Sequence, residues 1–290
     1  MASGRVGLGG AICSLLLDWA WSLDALLDCP PDTPRDVRRT LNQLIDDGTL
    51  GTAIFRHQTA STNTDALGEV HHGLEQALPR LHWADRQTAG RGRQGNAWIS
   101  RSKGLTFSMI LPRVWSPESP LSMFVGVAVA RAIEFHCAPA CVGLKWPNDV
   151  YSGNGKLGGI LIESSQVHVD RVVVGVGLNF DEAPSLPSSA GPPPVSISTL
   201  SPRAIDRNQL LAAVVESIVE TLTDADRVDL LAAYRERCVL TGENVSLIQN
   251  GQTFTGICGG VSERGELRLR IGDQDRVFLS GEARRTRVEA

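Results

Sequence analysis

The feature that most constrains this chain is a short segment in which glycine and arginine alternate. Within Asp85–Gly95, the pairs Gly90-Arg91 and Gly92-Arg93 are closed by Gly95. Glycine lacks a Cβ atom, so such a backbone can fold closely around a ligand, and arginine offers planar donors suited to carboxylate and phosphate oxygens. Residues 82–103 contain five Arg or Lys and one Asp, a local charge of +4 in a chain of net charge −4. The segment therefore predicts an anion-binding loop, and a general nucleic-acid surface is not expected.

A second segment places a lysine between an apolar stretch and a rigid corner. Lys145 follows Val142-Gly143-Leu144 and precedes Trp146-Pro147-Asn148-Asp149. Proline restricts the residue before it to extended geometry, and Asn-Asp is typical of turns. We therefore expect Lys145 at the end of a strand, on the rim of a site, where its ammonium group can neutralise a phosphate or a developing oxyanion.

Length and composition describe an ordinary globular protein. The 290 residues can hold one large domain with a smaller appendage, and 42% apolar with 21% charged residues is an average balance. The six cysteines include no CxxC pair, so no metal site is predicted and reduced thiols are expected. The apolar run Ala11–Leu17 is interrupted by Asp18, and no run approaches the ~20 residues of a membrane span. We expect a cytoplasmic protein without a membrane partner.

Residues 1–50 are predicted to form a helical N-terminal extension. Leu15–Leu27 has apolar residues at helical spacing, and a second helix is expected over Arg35–Asp47, ended by Gly48. Two short helices are also what the remnant of a helix-turn-helix would give. We favour an extension packed on the main domain, because there is no room for a β-wing and aspartates balance the arginines of the second helix. DNA binding is therefore not expected.

Residues 51–237 alternate between strand and helix patterns, which indicates a larger α+β domain. Strands are predicted at Ile54–His57, Leu81–Ala84, Leu105–Leu111, Val150–Tyr151, Lys156–Glu163 and Arg171–Asn179. Helices are predicted from Asn63 onward and at Leu121–Cys137, Arg207–Leu222 and Val228–Arg237. Ser61 or Thr62 can cap the first helix, and the same hydroxyls can instead hold a ligand at its N-terminus.

Two further patterns concern close packing and the C-terminus. Gly175 and Gly177 alternate in a strand, so both lie on one face, open to a flat ligand or to a crowded crossing of the sheet. From Cys238 the pattern changes to short strands, and Asn250-Gly251 predicts a tight hairpin turn. Residues 238–290 are therefore predicted to form a small β-barrel.

Five elements in a fixed order make the chain resemble the biotin–protein ligases over roughly residues 52–290. They are Ser61-Thr62-Asn63, Gln87–Gly95 with Trp98, Lys145–Asp149, Lys156–Leu161 and Gly175–Asn179, followed by a C-terminal barrel with Gly281-Glu282. The resemblance implies an α+β fold: a class II synthetase-like catalytic domain with a mixed sheet and flanking helices, and an SH3-like β-barrel.

The resemblance also implies a ligase that works in two steps. Biotin and ATP, with Mg²⁺, would give biotinyl-5′-AMP and pyrophosphate. A lysine of the biotin carboxyl carrier protein domain of a carboxylase would then accept the biotin. Because the carboxylate of biotin and the α-phosphate repel each other, cations must screen both. The expected catalytic residues are Lys145, Arg91 and Arg93, with Asp149 orienting Lys145 or the amine, or serving only as the carboxylate of the turn.

Binding roles follow from the same resemblance. The residues expected to hold the ureido head of biotin are Ser61, Thr62 and Gln87. The floor beneath biotin is expected to consist of Leu157, Gly159, Gly175 and Gly177. Asn179 is matched to adenine, and Trp98 to the closing of the adenylate side. The other expected contacts with biotin or ATP are Asn63, Gly90, Gly92, Gly95 and Asn148.

Two other functions stay open at this point. A lipoate–protein ligase or octanoyltransferase shares the fold, and a biotin-sensing transcriptional repressor would carry a complete winged helix-turn-helix. The glycine–arginine segment and Lys145–Asp149 favour biotin, and the N-terminal residues lack a wing. Gln94 stands where arginine is common in the family, which removes one positive charge from the loop. A monomer or weak homodimer is expected.

Overall fold

The computed structural model describes residues 26–73, 75–99, 104–116, 118–185, 194–224 and 227–286. Most of the predicted helix Leu15–Leu27 therefore lies outside the described residues. Its end is not helical: Leu27–Asp28 is a short strand that pairs in parallel with Thr52–Thr59. The helix prediction is wrong at this point, because pairing with the edge of a sheet satisfies the same backbone groups.

The first part of the described chain builds a mixed sheet. Its strands are β1 Leu27–Asp28, β2 Thr52–Thr59, β3 Arg80–Gln87, β4 Gly90–Arg91, β5 Ala97–Trp98, β6 Leu105–Pro112, β7 Gly143–Lys145, β8 Asp149–Ser152, β9 Gly155–Glu163 and β10 Arg171–Leu178. Eight of them form one sheet in the order β1-β2-β3-β6-β10-β9-β8-β7, and β4 pairs with β5. The pairs β1–β2 and β2–β3 are parallel and the others antiparallel. This confirms the mixed sheet.

One register row crosses six strands of the sheet. In order, the directly paired residues of this row are Ala84, Thr106, Gly177, Gly159, Asp149 and Lys145. Directly paired residues project from the same face of a sheet. The row therefore brings two glycines, a carboxylate and a lysine from distant parts of the sequence onto one face.

Five helices flank the sheet in the described residues: α1 Arg35–Asp46, α2 Thr62–His71, α3 Leu121–His136, α4 Arg207–Asp224 and α5 Arg227–Arg237. Ser61 caps α2, since its hydroxyl accepts a hydrogen bond from the Thr64 amide at 3.4 Å. Small residues let α3 approach the sheet closely: a Cβ atom on Gly126 would lie 3.4 Å from Leu144. None of the described helices is long and apolar enough to cross a bilayer.

Helix α1 packs on the main domain. Its apolar residues Val37, Leu41 and Leu44 are buried, as expected for a face that contacts a core. The Asn208 side chain on α4 donates a hydrogen bond to the Asp36 carboxylate at 2.8 Å. The contact ties the helix to the domain, while the boundary of an extension at residue 50 stays a prediction.

The C-terminal region is a five-stranded antiparallel sheet, consistent with an SH3-like domain. Its strands are β11 Asn244–Gln249, β12 Gln252–Val261, β13 Leu267–Ile271, β14 Gln274–Phe278 and β15 Glu282–Arg285, in the order β14-β13-β12-β11-β15. Asn250 and Gly251 have φ of 51° and 77°, which confirms the predicted tight turn. Leu247 and Leu267 belong to the same hydrophobic core as α3, so the two regions share one interior.

Candidate active site

A cavity of about 180 Å³, here called the cleft, lies on the face of the main sheet that carries the register row. All members of that row except Ala84 line it, together with the N-terminus of α2, the glycine–arginine loop and Gly281–Ala283 of the C-terminal sheet. The cleft brings together the predicted residues Ser61, Thr62, Asn63, Gln87, Arg91, Gly92, Arg93, Trp98, Lys145, Asn148, Asp149, Gly159, Gly175 and Gly177. Four others, Gly90, Gly95, Leu157 and Asn179, are not among the residues that line it.

A carboxylate between two lysines forms the charged part of the cleft. Lys145 stands at the end of β7, as the sequence predicts, and its Nζ lies 3.4 Å from Asp149 Oδ2. Lys156, on the neighbouring β9, places its Nζ 2.6 Å from the other Asp149 oxygen. One negative charge thus faces two positive charges, and the group keeps a net positive charge toward the cleft.

Burial acts on the Lys145 ammonium group. Its side chain is only 16% exposed. Burial lowers the pKa of Lys145, Asp149 opposes this effect, and the nearby Lys156 adds to it. The carboxylate of Asp149 therefore helps to keep Lys145 protonated in a position with little access to water.

The glycine–arginine segment is a small hairpin that presents its two arginines differently. Strand β4 pairs with β5, and the Gly92 amide donates to the Asn96 carbonyl at 2.7 Å. Arg91 forms an ion pair with Glu163 at 2.7 Å. Arg93 donates to Asn148 Oδ1 at 3.3 Å, and burial lowers the pKa of its guanidinium while Asp149 opposes that shift. The loop is thus held against the sheet by both arginines.

Gln94 adopts an unusual backbone conformation at the tip of this hairpin. Its φ is 55°, in the left-handed region that favours glycine. Gly95, next in the chain, has φ of 77°. Gly95 is therefore explained by the turn, because a side chain there would be strained. Its expected contact with a ligand stays a prediction.

Uncharged polar groups form the opposite part of the cleft, at the start of α2. Gln87 Oε1 accepts hydrogen bonds from the Thr62 amide at 2.7 Å and from the Thr62 hydroxyl at 3.1 Å. The Ser108 hydroxyl lies 2.7 Å from the Thr62 hydroxyl and donates to Asn63 Oδ1 at 2.6 Å. Asn63 also donates to Glu163 at 2.9 Å. Because these side chains orient one another, their remaining donors and acceptors are fixed in direction.

Side chains of the protein cover the two glycines of β10. A Cβ atom on Gly175 would lie 2.0 Å from Asn63 Oδ1, and one on Gly177 would lie 2.6 Å from the Trp98 indole. Only glycine fits these positions. Ligand pockets usually measure about 300–1,000 Å³, and the cleft is smaller because Trp98 and Asn63 fill it. A ligand that lies on Gly177 requires the indole to turn aside.

Leu157 is the clearest departure from the predicted floor. Strand alternation puts Leu157 and Gly159 on one face, but β9 contains an irregularity: Val150 pairs with Gly158, and Tyr151 with Lys156. Leu157 is skipped and is fully buried in the core. A bulge redirects side chains in this way, so Lys156, instead of Leu157, reaches the cleft.

Asn179 and Gly90 have structural contacts that the sequence does not reveal. The Asn179 amide donates to the backbone carbonyls of Lys156 at 3.2 Å and Val195 at 3.1 Å. Its expected contact with adenine stays a prediction. Gly90 lies where a Cβ atom would approach the Trp98 carbonyl to 2.6 Å, so the hairpin itself requires glycine there.

The sequence analysis missed several residues of the cleft. Lys156 had a usable signal, because the chain contains only three lysines and one of the others is Lys145. Glu163 had none, since its contacts with Arg91 and Asn63 join segments far apart in sequence. Thr106 and Ser108 belong to an ordinary strand pattern and line the cleft only through the register of β6 with β10.

The cleft therefore combines two chemical characters. Its uncharged part offers oriented hydroxyl and amide groups, and its cationic part offers Lys145, Lys156 and Arg93. Such an arrangement suits a ligand that is polar but uncharged at one end and anionic at the other. Buried cations of this kind stabilise charge that develops on phosphate or acyl oxygens.

Comparisons with known proteins agree with this geometry. The sequence profile of the biotin/lipoate A/B protein ligase family matches residues 55–179. The biotin--[acetyl-CoA-carboxylase] ligase of Mycobacterium tuberculosis is 33% identical over 259 residues, covering 86% of this chain and 95% of that protein. The enzyme of the same name from Paracoccus denitrificans is 30% identical, covering 73% and 92%. The structure of the Aquifex aeolicus biotin protein ligase in complex with biotin and ATP has 28% identity and a TM-score of 0.70, covering 81% and 99%.

These similarities extend over nearly the whole length of the relatives and include the segments that build the cleft. Identity at this level over such coverage shows common descent as well as a common fold. The chain belongs to the biotin–[acetyl-CoA-carboxylase] ligases and is a ligase enzyme.

Proposed function

We propose that the enzyme activates biotin with ATP to biotinyl-5′-AMP and transfers the biotin to a lysine of a biotin carboxyl carrier protein domain. The observation that carries the proposal is the polarity of the cleft, with uncharged groups around Thr62 and Gln87 and cations around Asp149. Biotin has the same polarity, since its ureido ring is neutral and its tail ends in a carboxylate. The biotin and ATP bound in the Aquifex aeolicus relative support this choice of substrates.

The first step joins two anions. A carboxylate oxygen of biotin attacks the α-phosphorus of ATP, the bond to the bridging oxygen of the β-phosphate breaks, and pyrophosphate leaves. Lys145, Lys156 and Arg93 reduce the repulsion between the reactants and stabilise charge on the α-phosphate. Ser61, Thr62 and Gln87 hold the ureido ring, and Gly159, Gly175 and Gly177 form the floor.

The second step moves the biotinyl group to the carrier protein. The ε-amine of the acceptor lysine attacks the acyl carbon, the bond to the phosphate oxygen breaks, and AMP leaves while the amine loses a proton. Asp149 acts by holding Lys145 and Lys156 in place, since both of its oxygens are engaged by them. Arg91 and Trp98 close the cleft and limit access of water to the reactive anhydride.

Mg²⁺ is part of the proposal. Among the described residues, no group of three or more His, Cys, Asp or Glu is arranged to hold a metal ion. Mg²⁺ commonly binds through one or two carboxylates together with substrate phosphates. Asp149 and Glu282 line the cleft and suit that mode of binding. When bound, Mg²⁺ would neutralise charge on the triphosphate.

The remaining parts of the proposal concern the setting of the reaction. The acceptor is the carrier domain of a carboxylase, the compartment is the cytoplasm, and the enzyme acts as a monomer or weak homodimer without binding DNA. The division into an extension over 1–50, a catalytic domain over 51–237 and an SH3-like domain over 238–290 belongs to the same proposal.

The experiment that tests the function is single-turnover transfer of labelled biotin to a carrier domain. Wild type is expected to transfer biotin only with ATP and Mg²⁺. Lys145→Ala is expected to lose adenylate formation, and Arg93→Gly to form adenylate but release it into solution. The exposed Arg203, changed to glycine, is the matched control and should behave as wild type.

Replacing biotin by lipoate or octanoate tests the alternative. Pyrophosphate release from ATP with one of these acids, and none with biotin, would show that the enzyme is a lipoate or octanoate ligase of the same fold. Transfer by Lys145→Ala at the wild-type rate would contradict the proposed mechanism.

A further inference from the structure

A buried hydroxyl group in the cleft lacks a hydrogen bond. Thr106 is only 4% exposed, and its Oγ1 has no hydrogen-bond partner among the described residues. Leaving a buried polar group unpaired costs about 1–3 kcal/mol, and most buried side-chain polar atoms in proteins are paired. The Thr106 hydroxyl therefore requires an explanation.

Ser108, two residues further along β6, provides an internal comparison. Both hydroxyls project from the same face of the strand, and each lies opposite a glycine of β10: Ser108 pairs with Gly175, and Thr106 with Gly177. The Ser108 hydroxyl is bonded to Thr62 and Asn63, at 2.7 and 2.6 Å. The protein thus satisfies one of two equivalent hydroxyls and leaves the other free.

The immediate neighbours of Thr106 cannot supply a partner. Its two register partners are Ala84 and Gly177, and neither carries a polar side-chain atom. The Trp98 indole lies against Gly177, and its Nε1, a donor, is also buried without a partner among the described residues. Both unpaired groups line the cleft, so an acceptor that reaches them must come from the cleft.

We propose that the Thr106 hydroxyl donates a hydrogen bond to the acid substrate and thereby contributes to its selection. The inference deepens the proposed function and rests on it. Two residues of strand span about 7 Å, so the bonded group lies about that far along β6 from the group that meets Ser108. Beyond its ureido ring, biotin offers its carboxylate as the strong acceptor. Thr106 therefore reads the acid end of the substrate, beside the cations that activate it.

Isothermal titration of the ligand-free enzyme with biotin tests this inference. Thr106→Val keeps the shape of the side chain and removes the hydroxyl. It should weaken biotin binding by roughly tenfold, as expected for one hydrogen bond to a charged acceptor. Thr106→Ser keeps the hydroxyl and should bind biotin within about twofold of wild type.

Thermal unfolding of the same ligand-free proteins separates a ligand contact from a structural role. The Thr106→Val protein should be at least as stable as wild type, because it buries no unpaired hydroxyl. Thr52 supplies the matched control: it is fully buried on β2, and its hydroxyl donates to the Ala77 carbonyl at 3.0 Å. Thr52→Val should lower the unfolding temperature and leave biotin affinity unchanged.

Three results would overturn the inference. They are wild-type affinity in Thr106→Val, equal losses of affinity in Thr106→Val and Thr106→Ser, and a loss of stability in Thr106→Val that matches Thr52→Val. A different result concerns the proposed function alone. If wild type binds lipoate and not biotin, that proposal fails, and the comparison of Thr106→Val with wild type is made on lipoate.

Discussion

Asp149 is the residue on which the charged part of the cleft depends. It engages two of the three lysines of the chain, one with each carboxylate oxygen. Two ammonium groups this close disfavour each other's charged forms, and a shared carboxylate removes most of that cost. Asp149 therefore sets both the position and the protonation of Lys145.

The pH dependence of adenylate formation should reveal this role. Burial and Lys156 lower the pKa of Lys145, while Asp149 and, less strongly, Glu282 raise it. Asp149→Asn removes the raising effect, so the pKa of Lys145 falls further. Activity that needs the charged lysine should then decline at lower pH than in wild type, as measured by pyrophosphate release between pH 6 and 10.

Glu282→Gln is the graded control for this prediction. It should shift the alkaline limb of the profile in the same direction by a smaller amount, because Glu282 contributes less to the pKa of Lys145. An alkaline limb that is unchanged in Asp149→Asn would show that Lys145 does not limit the rate through its charge.

At the scale of elements, helix α2 is fixed to the sheet at both ends. Its N-terminus meets Gln87 and Ser108. Toward its C-terminus, Glu69 accepts hydrogen bonds from Arg80 at 2.7 Å and from His82 at 3.2 Å, both on β3 and nearly buried. The two attachments hold the polar end of the cleft in register with strands β3 and β6.

Acid should weaken the second attachment. Burial alone would raise the pKa of Glu69, but the hydrogen bonds from His82 and Arg80 outweigh it and lower the pKa to about 2. A depressed pKa stabilises the fold at pH values above the ordinary 4.5 of the unfolded chain, and the contribution is lost as pH falls from about 4.5 toward 2. The full contribution is roughly 3 kcal/mol.

Glu69→Gln should therefore be less stable than wild type at pH 7, and the difference should shrink as pH falls below 4.5. Urea unfolding at a series of pH values measures it. The exposed Glu236 on α5, changed to glutamine, should show no such trend. A difference between Glu69→Gln and wild type that is the same at every pH would rule out the ion pair as its source.

The whole molecule is organised around one interior that both regions share. The hydrophobic core is continuous from α3 to the C-terminal sheet. The Trp146 indole donates to the Gly265 carbonyl at 3.0 Å, and Arg235 donates to the Val261 carbonyl at 2.9 Å. Because Trp146 follows Lys145 directly, the C-terminal sheet supports the corner that positions the catalytic lysine.

Unfolding in urea should consequently occur in one transition, seen together by circular dichroism and tryptophan fluorescence. Trp146→Phe removes the hydrogen bond between the regions and should lower the free energy of unfolding by about 1 kcal/mol without splitting the transition. Arg264→Gln, an exposed change next to Gly265, should have no effect. Two separate transitions in wild type would show that the regions are independent.

The sequence by itself determined the features that depend on neighbouring residues. The hairpin at Asn250-Gly251, the cap at Ser61 and the position of Lys145 at a strand end all follow from local backbone preferences. The motifs also indicated an anionic ligand, because charge and glycine content are properties of a short segment. Those signals were sufficient to place the chain in its family.

Only the tertiary structure decided which side chains meet in the cleft. The bulge in β9 directs Lys156 to the cleft and Leu157 into the core, and the register of β6 with β10 brings Thr106 opposite Gly177. The ion pair of Arg91 with Glu163 depends on the same sheet. The physical reason is that strand register and bulges are set by pairing between distant segments, and a shift of one residue turns every side chain to the other face.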